Sequence, residues 1–183
     1  MMIKMITKAL LVASLLLFAG CSSNNTDIES DMGIEDAPDW VNQGTQAISN
    51  NKGKLIHGIG SAPKMGDLSL QKSTADNRAR AELARIMSTF MDATLSDYTA
   101  SNGEQFEISV QKSIKSSTQV ALNGSHIIGN WRDKKSGMLY SFAELDLKKL
   151  QSSITNAEAM NASFKKYFND EFDASFDRFL KEQ

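Results

Sequence analysis

Apolar side chains recur with two different periods along the chain, and these periods predict its strands and helices. Residues 54–61 are rich in apolar and β-branched side chains and are followed by Pro63 and Gly66, so we expect a strand. After Asp67, a candidate N-cap, apolar residues recur at steps of three and four up to about Tyr98. This spacing predicts one long helix with a single apolar face.

The second half of the chain begins with an ambiguous segment and continues with a predicted β-hairpin. Between Glu104 and Leu122 the apolar positions fit either a strand or a helix face, and we favour the helix. Residues 125–133 and 138–146 then alternate around the short polar loop KKSG, which is typical of a hairpin. The residues predicted to share a face are Ile127, Gly129 and Trp131 in the first arm and Met138, Tyr140 and Phe142 in the second.

The C-terminal residues 151–183 have a helical composition without proline or glycine. Five phenylalanines recur there at steps of four and finally three: Phe164, Phe168, Phe172, Phe176 and Phe179. Each four-residue step turns this stripe by about 40°, so a straight neighbour could not cover all of it. Two interpretations stay open. Either this amphipathic helix packs back on the sheet or the long helix, or it protrudes and these phenylalanines bind a partner or a second copy of the chain.

Together these elements predict an α+β fold with a strand-helix-strand-strand core. Three strands are expected to form a mainly antiparallel sheet that packs on the long helix, with a C-terminal helix added. Hydrophobic residues make up 41% of the 183 residues and charged residues 23%, which is the composition of a globular protein with one core.

The first 20 residues are typical of a signal peptide, because two lysines precede an apolar stretch that is too short to cross a membrane. Cys21, the only cysteine of the chain, follows the small residues Ala19 and Gly20. This arrangement resembles the lipobox of bacterial lipoproteins, which implies that Cys21 carries acyl chains such as palmitate. Several acyl chains anchor a protein stably where one is marginal. Ser22 stands where aspartate would retain a lipoprotein in the inner membrane, so the resemblance implies the outer membrane.

Residues 21–37 are interpreted as the lipidated N-terminus and an acidic tether, since they carry five acidic and no basic side chains. The whole chain has a formal net charge of −2, and loss of the signal peptide with its lysines makes it more acidic. We therefore expect no nucleic acid as a partner.

Residues that carry catalysis or hold metals are scarce in the sequence. Only His57 and His126 supply imidazoles, on two different predicted strands, and Cys21 is assigned to lipid. No nucleophile motif such as G-x-S-x-G occurs, and the carboxylates are scattered over the tether, helix faces and tail. We expect no enzyme, no cofactor and no metal site.

A pair of glycines in "KLIHGIGSAP" is similar to the start of a dinucleotide-binding turn. Pro63 stands where that fingerprint needs a third small residue, which disfavours phosphate binding. The alternative is close packing of a helix on the strand. It predicts that Gly58 and Gly60 face the helix that carries Ala75 and Ala79, with His57 on the opposite side of the strand.

The order of signal peptide, lipobox, "PDW", "LIHGIGSA", "ADNRARAELARI" and "GSHIIGNWRDKKSGMLYSFAELD" resembles the LPP-twenty family of small bacterial lipoproteins. The resemblance spans residues 38–150. The residues that carry it, interpreted as structural, are Trp40, Gly58, Gly60, Ala62, Ala79, Arg80, Leu83, Trp131 and Tyr140. It implies an outer-membrane or surface lipoprotein with a strand-helix-strand-strand domain and no catalytic residues. One member of the family is a flagellar outer-membrane lipoprotein needed for motility.

We therefore expect a non-catalytic, acyl-anchored lipoprotein of the outer membrane that supports a flagellar or other envelope assembly. Its expected partners are the membrane, through the acyl chains, envelope or flagellar proteins, and further copies of itself. The alternative is a binding module for peptidoglycan or a small apolar ligand, in a groove between helices and sheet lined by Trp131 and Tyr140. The side of the membrane on which it lies stays open.

Overall fold

The computed structural model of the protein describes residues 33–47, 54–102, 108–158 and 160–181. They form, in chain order, α1 (Asp39–Asn42), a 3-10 helix (Gly44–Ala47), β1 (Leu55–Ala62), α2 (Leu68–Asn102), α3 (Ile108–Asn123), β2 (His126–Arg132), β3 (Leu139–Asp146), α4 (Leu147–Asn156) and α5 (Ala162–Lys181). The α+β class is as predicted. The ambiguous segment before β2 is a helix from residue 108 onward, while residues 103–107 lie outside the described part.

The three strands form one antiparallel sheet in the order β1-β3-β2. β1 pairs with β3 along its whole length, from Leu55 opposite Asp146 to Ala62 opposite Leu139. β2 pairs with the other side of β3 as a hairpin, as the alternating pattern predicts. Both outer strands therefore leave one edge without a strand partner among the described residues.

A β-bulge at Ile128 corrects one predicted face of β2. Ile127 lies opposite Ala143, whereas Gly129 lies opposite Phe142, so Ile128 is the extra residue. Neighbouring residues of β3 point to opposite faces of the sheet. Ile127 therefore packs on the core side, and the prediction that it shares a face with Gly129 and Trp131 is wrong.

The long helix α2 begins at a side-chain cap. The Asp67 carboxylate accepts hydrogen bonds from the backbone N–H groups of Ser69 and Leu70, at 2.8 and 3.2 Å, which confirms the predicted N-cap. At ~1.5 Å per residue, its 35 residues reach about 52 Å, whereas an eight-residue strand spans about 27 Å. Only part of α2 can therefore lie on the sheet.

The first half of α2 packs on β1 through backbone atoms. A Cβ atom on Gly58 would lie 2.3 Å from the carbonyl oxygen of Ala79, and one on Gly60 would lie 2.2 Å from the Ala79 nitrogen. Side-chain carbons do not approach backbone atoms so closely, so both positions need glycine. The predicted contact between the glycines and the helix of Ala75 and Ala79 is confirmed.

The second half of α2 packs on α5 through an aromatic layer. Phe90 of α2 meets three phenylalanine rings edge-on, with centroid distances of 5.5 to 6.1 Å: Phe172, Phe176 and Phe179. About two helical turns later in the chain, Tyr98 meets Phe164 at 5.3 Å. α4 contributes Leu147, Leu150 and Ile154 to the same core.

The proposed partner-binding role of the phenylalanine stripe is therefore corrected. Phe164, Phe168, Phe172, Phe176 and Phe179 are exposed by 0% to 6% of their surface. The stripe winds around α5, and α2, α4 and Lys54, the residue before β1, each cover part of it. The Lys54 ammonium lies 5.4 Å from the centre of the Phe176 ring. Burial in the protein's own core leaves no phenylalanine of this stripe for a partner.

The C-terminal segment 151–183 is two helices instead of the single helix expected. α4 begins directly after β3, capped by Asp146, and ends at Asn156. α5 has its own cap, because Asn161 accepts hydrogen bonds from the N–H groups of Ser163 and Phe164. The predicted domain boundary at residue 150 thus falls inside α4. In addition, α5 shares one hydrophobic core with the sheet domain.

Candidate interaction surface

The face of the sheet opposite α2, here called the open face, is the main candidate surface. The strand registers place on it His57, Ile59 and Ser61 of β1, Tyr140, Phe142 and Glu144 of β3, and His126, Gly129 and Trp131 of β2. Among the described helices, only the short α1 contributes a ring contact to this face. The open face is therefore rich in aromatic side chains but covered over only part of its area.

One end of the open face is closed by a cluster of rings. Trp40 of α1 meets Phe142 edge-on at 5.4 Å between ring centroids, and His57 lies 5.0 Å from the same ring. Phe142 is consequently only 3% exposed. This contact agrees with the interpretation of Trp40 as a structural residue.

The other end of the open face carries a half-buried aromatic pair. Trp131 and Tyr140 are cross-strand neighbours with ring centroids 5.7 Å apart. Burial, and then the negative charge of Asp133, raises the pKa of the Tyr140 phenol, so its hydroxyl stays protonated at physiological pH. Both rings lie on the face of the sheet away from α2. The prediction that they line a groove between the helices and the sheet is therefore wrong.

Space beside this pair is left by a glycine. A Cβ atom on Gly129 would meet no described atom within 4 Å, in contrast to Gly58 and Gly60. Next to it, the bulged residue Ile128 is 55% exposed at the uncovered edge of β2. The open face and this edge together present apolar side chains and unpaired backbone groups.

The two histidines lie on either side of one carboxylate. In the register, both His57 and His126 are opposite Glu144 of the central strand. The His57 Nε2 atom is 3.1 Å from the Glu144 carboxylate, but the His126 Nε2 atom is 3.5 Å from the Lys149 ammonium. The described residues hold no group of three histidine, cysteine or acidic side chains placed to bind a metal ion.

On the α2 side of the sheet, a partly buried polar network ties α2 to the hairpin. The Asp76 carboxylate accepts hydrogen bonds from Ser141 at 2.7 Å, from Asn130 at 3.1 Å and from Lys72 at 2.6 Å. Partial burial alone would raise the pKa of the Asp76 carboxyl. The hydrogen bonds from these three groups have the larger combined effect, so the pKa is lowered overall. Gln71 adds two hydrogen bonds, to the carbonyl oxygens of Ala62 and Gly137.

Sequence reasoning missed this network and a basic cluster at the hairpin tip. The signal for the cluster is the run "RDKK", of which the pattern places Arg132 and Asp133 in the first hairpin arm and both lysines in the polar loop. Arg132, Lys134 and Lys135 of this run line the same cavity as Lys64, which follows β1. The proximity of Lys64 depends on the pairing of β1 with β3, which the sequence pattern does not specify.

The other sequence-predicted residues divide between core, surface and undescribed chain. Ala62 is fully buried against Ala75 and Leu139, whereas Arg80 is exposed on α2. No hydrogen bond or ion pair joins Arg80 to another described side chain, and its structural role stays a prediction. Cys21 lies outside the described residues. None of the described helices combines the length and apolar character that a membrane crossing needs.

No protein-family model matches the chain, and no curated protein matches it.

Proposed function

We propose that this protein is a non-catalytic lipoprotein of the bacterial outer membrane, anchored by acyl chains on Cys21, which acts through protein contacts in an envelope assembly. The flagellar base is the assembly to which the sequence resemblance points. The observation that carries the contact part of the proposal is the open face with its exposed edge strand. It offers apolar and aromatic side chains, while the phenylalanine stripe is used inside the core.

The edge of β2 suits contact with protein in two ways. Its backbone groups on the free side have no strand partner among the described residues, so they can pair with an added strand. Ile128 and the Trp131–Tyr140 pair supply apolar anchors beside that edge. Tryptophan and tyrosine are among the residues most enriched as anchors of protein interfaces.

The contact surface is tested by Ile128→Glu, with Val120→Glu on α3 as the matched control. The two side chains are similarly exposed, at 55% and 60%, so neither change should destabilise the fold by more than about 0.5 kcal/mol. We expect Ile128→Glu to reduce swimming in soft agar while Val120→Glu leaves it normal. Normal motility in both variants and in a deletion strain would remove the flagellar part of the proposal.

Acyl anchoring is tested separately with Cys21→Ser. We expect the variant to move from the membrane fraction to the soluble fraction of the cell, because no described helix can replace the acyl chains. Retention of the variant in the outer-membrane fraction at the wild-type level would contradict lipid anchoring.

A second candidate function uses the same pair of rings. Trp131 and Tyr140 form a partly exposed aromatic platform, and such platforms also stack on the rings of polysaccharides such as peptidoglycan. Sedimentation of the protein with isolated cell wall, lost on Trp131→Ala and retained in Ile128→Glu, would favour this function over protein contact.

A further inference from the structure

The tip of the β2–β3 hairpin concentrates basic side chains that the proposed protein contact does not use. Lys64, Arg132, Lys134 and Lys135 line a cavity of about 440 Å³ together with Asp133, Ser136 and Gly137. Gly137 lacks a side chain, and the carbons of Lys64 pack over it: a Cβ there would lie 3.0 to 3.2 Å from them. This contact holds the stem of Lys64 beside the loop.

The loop that carries these cations is held in shape by its own hydrogen bonds. The Asp133 carboxylate accepts bonds from the N–H groups of Lys135 and Ser136, at 2.9 and 3.0 Å, and from the Ser136 hydroxyl. From below, the Gln71 amide donates to the Gly137 carbonyl oxygen at 2.8 Å. The carboxylate of Asp133 is therefore used by the loop, and the basic side chains project from a fixed turn.

Three of the four cations are available to a ligand. Lys135 is paired with the carboxylate of Glu35. Lys64, Arg132 and Lys134 are exposed, and within the described ranges none of them forms a hydrogen bond or ion pair with a carboxylate. An anion that approaches this tip would thus meet unpaired positive charge on a rigid support.

The tip also lies where the chain enters the folded part. The ion pair between Glu35 and Lys135 joins the entering segment to the hairpin, and Ile34 is fixed by two hydrogen bonds to the Asn42 side chain. Cys21 precedes Gly33 by twelve residues. Twelve residues span at most about 40 Å, so the proposed acyl chains on Cys21 would keep the start of the folded part within about that distance of the bilayer.

We propose that the hairpin tip binds the phosphate groups of anionic phospholipid headgroups in the membrane that holds the acyl anchor. This inference rests on the proposed anchoring at Cys21. The tip contact orients the domain with the tip toward the lipid, and the anchor supplies the affinity. The open face, on the side of the sheet, then stands free for protein contact.

A membrane surface fits this tip better than a soluble anion does. Each basic residue near an anionic bilayer favours binding by about fivefold, and these contributions multiply over Lys64, Arg132 and Lys134. Because the anchor holds the domain at the membrane, the tip encounters the lipid headgroups at a high effective concentration, and a weak attraction is then sufficient for binding. The three unpaired cations that line the cavity at the tip are exposed, so they do not enclose a free phosphate as a buried pocket would.

The test measures how close the tip lies to the lipid in the full-length, acylated protein. With Cys21 acylated, Gly66→Cys introduces one reactive thiol near Lys64, at a position where a Cβ meets no described atom within 4 Å. Energy transfer from a dye on this thiol to a dye-labelled lipid is compared in neutral phosphatidylcholine vesicles and in vesicles with 30% phosphatidylglycerol added. We expect stronger transfer in the anionic vesicles, and we expect 1 M salt to abolish the difference.

The matched variants neutralise two cations each, at the tip (Arg132→Gln with Lys134→Gln) and on the exposed side of α3 (Lys112→Gln with Lys115→Gln). The tip variant should lower the tip-bound equilibrium constant by about 25-fold, and the α3 variant should not change it. Circular dichroism checks that both pairs fold. Equal transfer in neutral and anionic vesicles, equal effects of the two variants, or reversal by millimolar inorganic phosphate at constant ionic strength would each overturn the proposal. Failure of acyl anchoring is distinguishable, since unanchored protein would not float with either vesicle.

Discussion

The two halves of α2 are packed by opposite means. The first half lies on β1 with almost no side chain between the two backbones, since Gly58 and Gly60 face Ala75 and Ala79. The second half is separated from α5 by a full layer of aromatic rings around Phe90. One helix therefore has a backbone contact at one end and a side-chain contact at the other.

This difference indicates which end of α2 tolerates substitutions. Backbone atoms that touch cannot rotate away, so a single added methyl group has to move a whole helix or strand. An aromatic layer can adjust its rotamers and fill part of any lost volume. We therefore expect the small-residue crossing to be the less tolerant end, although it buries less side-chain volume.

The largest effect is expected for Gly60→Ala. The new Cβ would lie 2.2 Å from the Ala79 nitrogen and 2.5 Å from the Ala75 carbonyl oxygen, so α2 must move away from the sheet. We expect a loss of more than about 3 kcal/mol in the free energy of unfolding, measured by urea denaturation.

Gly129→Ala is the matched control within the same sheet, because a Cβ there meets no described atom within 4 Å. It should be neutral or stabilising by about 0.5 kcal/mol, since alanine loses less conformational entropy than glycine. Equal losses in the two variants would contradict the close crossing.

A smaller effect is expected for Phe168→Leu in the aromatic layer. Phe168 is fully buried and meets Phe164 and Phe172 at 5.8 and 5.3 Å. The shorter leucine removes ring contacts but leaves an apolar side chain that neighbours can pack against, so the loss should be about 2 kcal/mol. A loss larger than that of Gly60→Ala in the same urea titration would reverse the proposed order of tolerance.

The next effect, about 1 kcal/mol at pH 7, is expected for Asp76→Asn, which weakens the network between α2 and the hairpin. The pKa of Asp76 is lower in the folded protein than its ordinary value of 3.8. The ionised carboxylate therefore stabilises the fold above about pH 3.8, and this contribution is lost as the pH falls through the folded value. The stability difference between wild type and variant should shrink from pH 7 to pH 3, and a difference that grows on acidification would contradict it.

The smallest effect is expected for Arg178→Ala. Its guanidinium forms a 2.6 Å ion pair with Asp97 that links α5 to α2, but the two side chains are 51% and 41% exposed. Exposed pairs contribute little, so the loss should stay below about 0.5 kcal/mol and diminish in high salt. A loss above about 1.5 kcal/mol would mean that α5 depends on surface charge more than on its phenylalanines.

The order of elements was predictable from the sequence because hydrophobic periodicity is a local property. The strand before Pro63, the helix after Asp67 and the hairpin each follow from spacing within one segment. The close crossing at Gly58 and Gly60 was also predictable, because alternation along a strand fixes which residues share a face.

Two of the errors arose where several segments meet, and the third arose at a local helix cap. The bulge at Ile128 changes the register of β2 against β3, and alternation within β2 alone does not indicate it. The phenylalanine stripe looked too wide for one neighbour, yet α2, α4 and Lys54 cover it together. The break between α4 and α5 depends on the Asn161 cap, without a proline or glycine to mark it.

The positions of residues on the candidate surface could not be predicted from single segments either. Trp131 and Tyr140 were identified by resemblance, but their position on the face away from α2 follows from the full register of the sheet. The Asp76 network and the approach of Lys64 to Gly137 join residues far apart in the chain. Such contacts follow from tertiary packing, which no single segment specifies.

The central claim, that the open face contacts partners while α5 packs in the core, is tested most directly by crosslinking in living cells. A photoreactive amino acid is placed at Ile128 or, as the control, at Leu180 on the outer side of α5, since these side chains are 55% and 47% exposed. We predict crosslinked products of higher mass from position 128 and none from position 180. Products from position 180 with none from position 128 would contradict the account.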